Sequence, residues 1–155
     1  MKNNSRPWMV WFLFYLQILL GLGAFVSGFC FLLFPDGSLI GMPLSILKYS
    51  PFKDFFIPGL ILFSLLGVYP LIVAFCLLNQ PSWRWPNWIN PFKKYHWAWA
   101  ASISTGIILI IWITTQVLLI RDIHFLHLIY FVWGWVIILI SSTQIVRQHL
   151  KMVGK

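Results

Sequence analysis

Four long apolar runs, separated by short polar segments, set the pattern of this chain: 8–34, 55–78, 97–120 and 125–146. They hold 27, 24, 24 and 22 residues and contain no Asp, Glu, Lys or Arg. About 20 apolar residues cross the hydrocarbon core of a bilayer as a helix, whereas a strand needs about 10 and alternates apolar with polar. These runs do not alternate. Backbone groups in lipid must also pair within their own segment, which leaves helices as the solution for separate spans. The pattern predicts an all-α membrane protein, a single domain over 1–155 built as an antiparallel bundle of four transmembrane helices. An outer loop (35–54), an inner loop (79–96) and a short hairpin around 121–124 connect them.

Each run carries one face of small or weakly polar residues at helical spacing. Gln17, Gly21, Ala24 and Gly28 share a face of helix 1, where Gly23 and Ser27 form a further small-xxx-small pair. Gly59, Phe63, Gly67, Pro70 and Ala74 share a face of helix 2. Ala98, Ser102 and Gly106, with Thr105, do so on helix 3, and His127, Tyr130, Gly134, Ile138 and Ser141 on helix 4. Small residues let membrane helices approach closely, so these faces are assigned to helix packing. Pro7 suits a first helical turn. Pro70 lies inside helix 2 and predicts a kink around 67–70. In the outer loop, Pro35-Asp36-Gly37 ends helix 1 as a turn, and 43–49 reads as a short interfacial helix. Ser50-Pro51 and Asp54 prepare the start of helix 2.

Charge orients the bundle. The chain is 60% hydrophobic and 9% charged, with eleven basic residues and three acidic ones. A soluble domain carries about 25% charged residues. Lys2, Arg6, Arg84, Lys93, Lys94, Arg147, Lys151 and Lys155 fall on one side with no acid; Lys48, Lys53 and Arg121 fall on the other with Asp36, Asp54 and Asp122. Basic residues accumulate on the cytoplasmic side. Both termini and the 79–96 loop are therefore expected inside a cytoplasmic membrane. The Trp- and Pro-rich inner loop, with Trp83, Trp85, Trp88, Tyr95 and Trp97, reads as an aromatic belt beside cations that meet anionic headgroups. The cations are spread over three short segments, which argues against a nucleic-acid partner. The first run is too long for a secretory signal core, and Phe29 stands where lipidation of Cys30 would need a small residue.

The centres of the spans hold no ionisable group, the usual mark of a transport path. Small four-helix multidrug exporters carry an acid in helix 1; here Gln17 is the only strongly polar residue there, and the chain has no Glu. Cys30 and Cys76 fall at opposite ends of their helices, about 25–30 Å apart, too far for a disulfide. His96 lies at the opposite membrane face from His124 and His127, which argues against paired haem ligation. No cofactor is implied.

One constellation remains, on the outer face: Asp36, Asp54, Gln116, Arg121, Asp122, His124, His127 and Tyr130. His124 and His127, at i, i+3, could hold a divalent metal with loop carboxylates, or the group could line a pocket for a lipid or quinone head. The loop is expected to fold over the bundle mouth and pair Asp36 or Asp54 with the 121–124 hairpin.

Gly21, Gly23 and Gly28, then Pro35-Asp36-Gly37, Gly41-Met42-Pro43, Ser50-Pro51-Phe52 and Ile57-Pro58-Gly59-Leu60, resemble small four-helix integral proteins of bacterial membranes. The resemblance covers about the first half and carries no activity with it. It implies one bundle in a bacterial inner membrane. The first functional reading is a non-enzymatic accessory or lipid-like-ligand-binding bundle, recognising a membrane protein partner or a second copy of itself through its outer face. The alternatives are a membrane enzyme or metal site at His124 and His127, and an oligomeric channel or transporter gated at Pro70.

Overall fold

The computed structural model describes residues 6–83, 86, 88, 90–121 and 123–152. Among these the secondary structure is helical, apart from a single antiparallel bridge between Tyr95 and Lys151. Four helices are long and apolar enough to cross a membrane: α1 (Trp8–Leu33), α2 (Phe56–Asn79), α3 (Trp97–Ile120) and α4 (Phe125–Ser142). A short α5 (Gln144–His149) follows. Their outward surface is apolar at mid-helix: Leu19, Val26, Ile111 and Leu139 are each about 60% exposed or slightly more. A soluble protein does not leave so continuous an apolar surface bare.

Pro7 precedes α1 rather than joining its first turn, and its carbonyl accepts from the amide of Val10 at 3.0 Å. Around the predicted kink of α2, the stretch Leu62–Val68 takes the wider π-helical register. Pro70 has no N–H to offer and its ring crowds the carbonyl one turn earlier. The wider turn accommodates this: Tyr69 N–H donates to Ser64 O, five residues back. The Ser64 hydroxyl donates to Leu60 O at 2.7 Å and so pairs a carbonyl within the shifted ladder.

Helix 4 ends at Ser142, four residues short of the predicted end at 146. Thr143 is extended (φ −64°, ψ 148°), and its hydroxyl donates to Ile140 O at 2.7 Å. Such local bonds compete with the helical ladder. The break lets α5 turn and bury Val146 and Leu150, both at most 1% exposed.

Packing follows the glycines. An ideal Cβ on Gly28 would lie 2.6 Å from Phe63 N, and one on Gly67 would lie 2.9 Å from Phe25 Cα. Gly59 meets Phe31, and Gly21 meets Leu71, so α1 and α2 approach closely between Gly21 and Phe31. Gly106 and Gly134 face each other reciprocally between α3 and α4, each against the other's carbonyl at 2.6 and 2.9 Å. Polar contacts join these pairs: Gln17 Nε2 donates to Ser102 Oγ at 3.1 Å, and the Tyr69 and Ser104 hydroxyls bond at 2.7 Å. Ala24, Pro70, Ala98 and the other small residues of the four faces are buried, apart from Ser27, which is half-buried. Gly23 differs: it is exposed and nothing lies within 4 Å of a Cβ placed there.

Gly28→Ala and Gly106→Ala should each destabilise the protein by about 1–3 kcal/mol through overpacking. Gly23→Ala should be neutral or stabilising by up to about 1 kcal/mol, since alanine is the better helix former. Unfolding in mixed detergent micelles separates the two outcomes.

Candidate functional site

The loop between α1 and α2 is built by short-range hydrogen bonds. Its base closes where Phe55 N–H donates to Pro35 O at 2.8 Å and the Phe31 and Phe55 rings stack at 4.8 Å. Asp36 Oδ1 accepts from the Ser38 hydroxyl at 2.7 Å and the Ser38 amide at 3.1 Å, which holds its carboxyl below the usual range. Gly37 adopts φ +75°, a conformation that favours glycine, and its carbonyl accepts from Met42 N–H. A 3₁₀ helix, Leu44–Tyr49, follows and lies against α3. Asp54 accepts from Phe56 N–H at 2.9 Å, at the start of α2.

The loop reaches the hairpin after α3, but by a different residue from the expected ones. The guanidinium of Arg121 lies 4.6 Å from the centre of the Tyr49 ring. Asp36 and Asp54 find amide donors two residues away, so they are engaged by their own turns before any distant cation is in reach. Asp122 lies outside the described residues.

Beneath this loop are two adjoining cavities. One, of about 300 Å³, lies among α1, α2, α3 and α4 and is lined by Leu20, Ala24, Leu66, Leu109 and Trp112, with Ser27, Gln116, His127 and Tyr130 as its polar groups. The other, of about 380 Å³, runs under the loop past Leu47, Phe52, Phe55 and Leu119. They share Phe31, Met42, Leu62, Trp112 and Gln116. Of the sequence-selected outer residues, the structure therefore brings Gln116, His127 and Tyr130 to one cavity. Asp36, Asp54, Arg121 and His124 do not line it. Ser27, Met42 and Trp112 were not selected; Trp112 sits one turn from Gln116, a legible signal, whereas Met42 arrives only through the Gly37 turn.

The two histidines have a structural task. His127 Nδ1 accepts from the His124 amide at 3.1 Å, and His127 N–H donates to His124 O at 2.9 Å. The imidazole thus does at the third position of α4 what Glu or Gln does in a capping box. A lone pair on Nδ1 puts the neutral ring's proton on Nε2, the nitrogen a metal would otherwise take. Among the described residues no three His, Cys, Asp or Glu come together as a metal site.

A second polar centre, at the opposite end, was not foreseen. His96 N–H donates to Leu150 O at 2.7 Å and Met152 N–H to Lys94 O at 3.0 Å, which sews the 79–96 loop to the C-terminal segment. His96 Nε2 bonds with Pro81 O, and its Nδ1 accepts from Ala98 N–H, capping α3. Asn90 Nδ2 donates to the carbonyls of Phe92 and Tyr95. Arg147 rests 5.3 Å from Trp99 and 5.6 Å from Tyr95, and Trp99 Nε1 donates to Ser141 O at 2.8 Å. Trp97, expected in an exposed belt, is 7% exposed and stacks on Trp83; Trp88 is 86% exposed. Arg84 and Trp85 lie outside the described residues. Cys30 and Cys76 are both free.

Comparison with protein-family models, curated proteins and solved structures returned no match. The chemistry of the site is read from its own geometry.

His127→Ala should cost about 0.5–2 kcal/mol by uncapping α4, while His127→Gln should keep most of that stability; thermal unfolding in detergent distinguishes them. At the other end, burial first and the charge of Arg6 second hold His149 below its ordinary value. The folded chain then binds fewer protons than the unfolded chain, so stability rises with pH. It should be full above about pH 6.5 and fall as the pH drops through that value toward the lower folded pKa. His149→Gln should flatten that part of a melting-temperature profile between pH 7 and 5.

Proposed function

We propose that this chain is an antiparallel four-span bundle of a bacterial cytoplasmic membrane, with both termini inside, that holds a small lipid-like molecule in its outer cavity. The register of the α1–α2 contacts supports the antiparallel arrangement: Gly21, Phe25, Gly28 and Phe31 meet residues 71, 67, 63 and 59 in turn. The basic residues at the end shared by the inner loop and both termini support the orientation. The 3₁₀ helix Leu44–Tyr49 then lies at the outer interface, and the loop covers the ligand.

The observation that carries the reading is the convergence of Gln116, His127 and Tyr130 on an apolar cavity of about 300 Å³ that continues under the loop. Small-molecule sites are mostly apolar, with a few convergent polar groups that set orientation. The head is neutral and hydrogen-bonding: the lining holds amide, hydroxyl and imidazole groups, while Arg121 stacks on Tyr49 away from it. We read the bundle as a binding or accessory protein, since the cavity is mostly apolar and its few polar groups suit orienting a ligand.

Purification in mild detergent, followed by organic extraction and mass spectrometry, should recover one amphiphile in near-stoichiometric amount. Gln116→Leu and Tyr130→Phe should each lower its retention by about 5–10-fold, the loss of one hydrogen bond of about 1–1.4 kcal/mol. An empty wild-type protein, or variants that retain the molecule fully, would remove the reading.

A further inference from the structure

A larger groove, of about 610 Å³, lies at the opposite end of the bundle. Tyr69 of α2, the Trp97, Trp99, Ile103 and Ser104 side of α3, and Phe92 of the inner loop form it. Its volume lies within the range of about 300–1,000 Å³ typical of small-molecule sites. Ile107 continues its apolar wall onto the exposed flank of α3. The Tyr69–Ser104 hydrogen bond and the bonds of Asn90 to Phe92 and Tyr95 hold the walls in place.

Two observations say what fits. The first is charge. The Arg147 guanidinium rests on the Trp99 ring, a wall of the groove, and Lys93 and Lys94 follow Phe92 directly. The three acids of the chain, at 36, 54 and 122, belong to the other two connections. The second is an unpartnered donor. Trp97 lines the groove, is 7% exposed, and its indole Nε1–H has no acceptor among the described residues. A buried N–H without a partner is costly, and an acceptor on a bound molecule relieves that cost.

We propose that this groove binds one anionic phospholipid of the inner leaflet, an acyl chain along Ile103 and Ile107 and the phosphate at the Arg147, Lys93 and Lys94 rim. Nε1–H is closed off in this structure, and a turn of the Trp97 ring brings it to a phosphate or ester oxygen. An apolar cleft with a cationic rim fits an amphiphile whose head is anionic; a choline head would set its own cation against Arg147. The proposal rests on the reading that the helices span a bilayer, and is independent of the outer-cavity ligand.

The test uses the full chain in nanodiscs of equal phosphatidylglycerol and phosphatidylcholine, released and weighed by native mass spectrometry. One phosphatidylglycerol should remain bound, several-fold over phosphatidylcholine. Trp97→Phe, which keeps the ring against Trp83, and Ile103→Trp, which fills the groove, should each reduce retention. Lys93→Gln should reduce it about fivefold, the effect of one cation of about 1 kcal/mol. Equal retention of both lipids, or undiminished phosphatidylglycerol in folded Ile103→Trp, overturns the proposal. Should that variant fail to fold, wild-type protein with photoreactive acyl chains decides: anionic lipid should label the 97–107 peptide several-fold more than choline lipid, and equal labelling overturns the proposal.

Discussion

Close approach of helix backbones at glycine is the constraint on which this fold depends. Lipid tails are as apolar as leucine, so burying leucine against leucine gains little in a membrane and packing contacts must do the work. Gly28 on Phe63, Gly67 on Phe25, and the reciprocal Gly106–Gly134 crossing bring main chain against main chain. Large apolar residues stand on both sides of this packing: Leu19, Val26 and Leu139 are exposed, while Leu13, Leu66, Leu77, Leu109 and Ile137 are buried among the helices.

The two glycine-bound pairs, α1 with α2 and α3 with α4, are joined by hydrogen bonds rather than by further glycine contacts. Gln17 to Ser102 and Tyr69 to Ser104 cross between them, and Gln17 Oε1 and Ser141 Oγ stay buried with no partner among the described residues. Between the pairs, at the loop end, lies the cavity that Gln116, His127 and Tyr130 share. The π segment Leu62–Val68 contributes Leu62 and Leu66 to that cavity, so the device that accommodates Pro70 also shapes the site.

The polar residues of the ends do unlike things. At the loop end, Asp36 and Asp54 serve their own turns and His124 and His127 serve the start of α4, beside an apolar cavity with neutral hydrogen-bonding groups. At the other end, the His96 amide and Gln80 tie the 79–96 loop to the C-terminal segment, and Asn90 braces the loop itself, with Arg147 laid over Tyr95 and Trp99. A chain poor in polar residues has concentrated them where the backbone leaves its helices and needs partners.

Periodicity alone made the four helices and their small-residue faces legible, because a span of about 20 apolar residues in lipid has one backbone solution and small residues at steps of three or four can serve only one face. Gln116 and Tyr130 were legible as cavity candidates because they are the few polar side chains in otherwise apolar runs. Other features lay beyond local pattern. The break at Thr143 exists because Val146 and Leu150 find a buried place under the inner loop. The loop meets the hairpin through Tyr49 and Arg121 because the nearest donors had already taken Asp36 and Asp54. The His96–Leu150 and Met152–Lys94 bonds join segments more than fifty residues apart. The sequence by itself determined which segments are helices and which of their faces pack, since both follow from solvent and spacing. Only the tertiary structure decided where polar partners meet and which cavities remain, since those depend on distances between residues far apart in the chain.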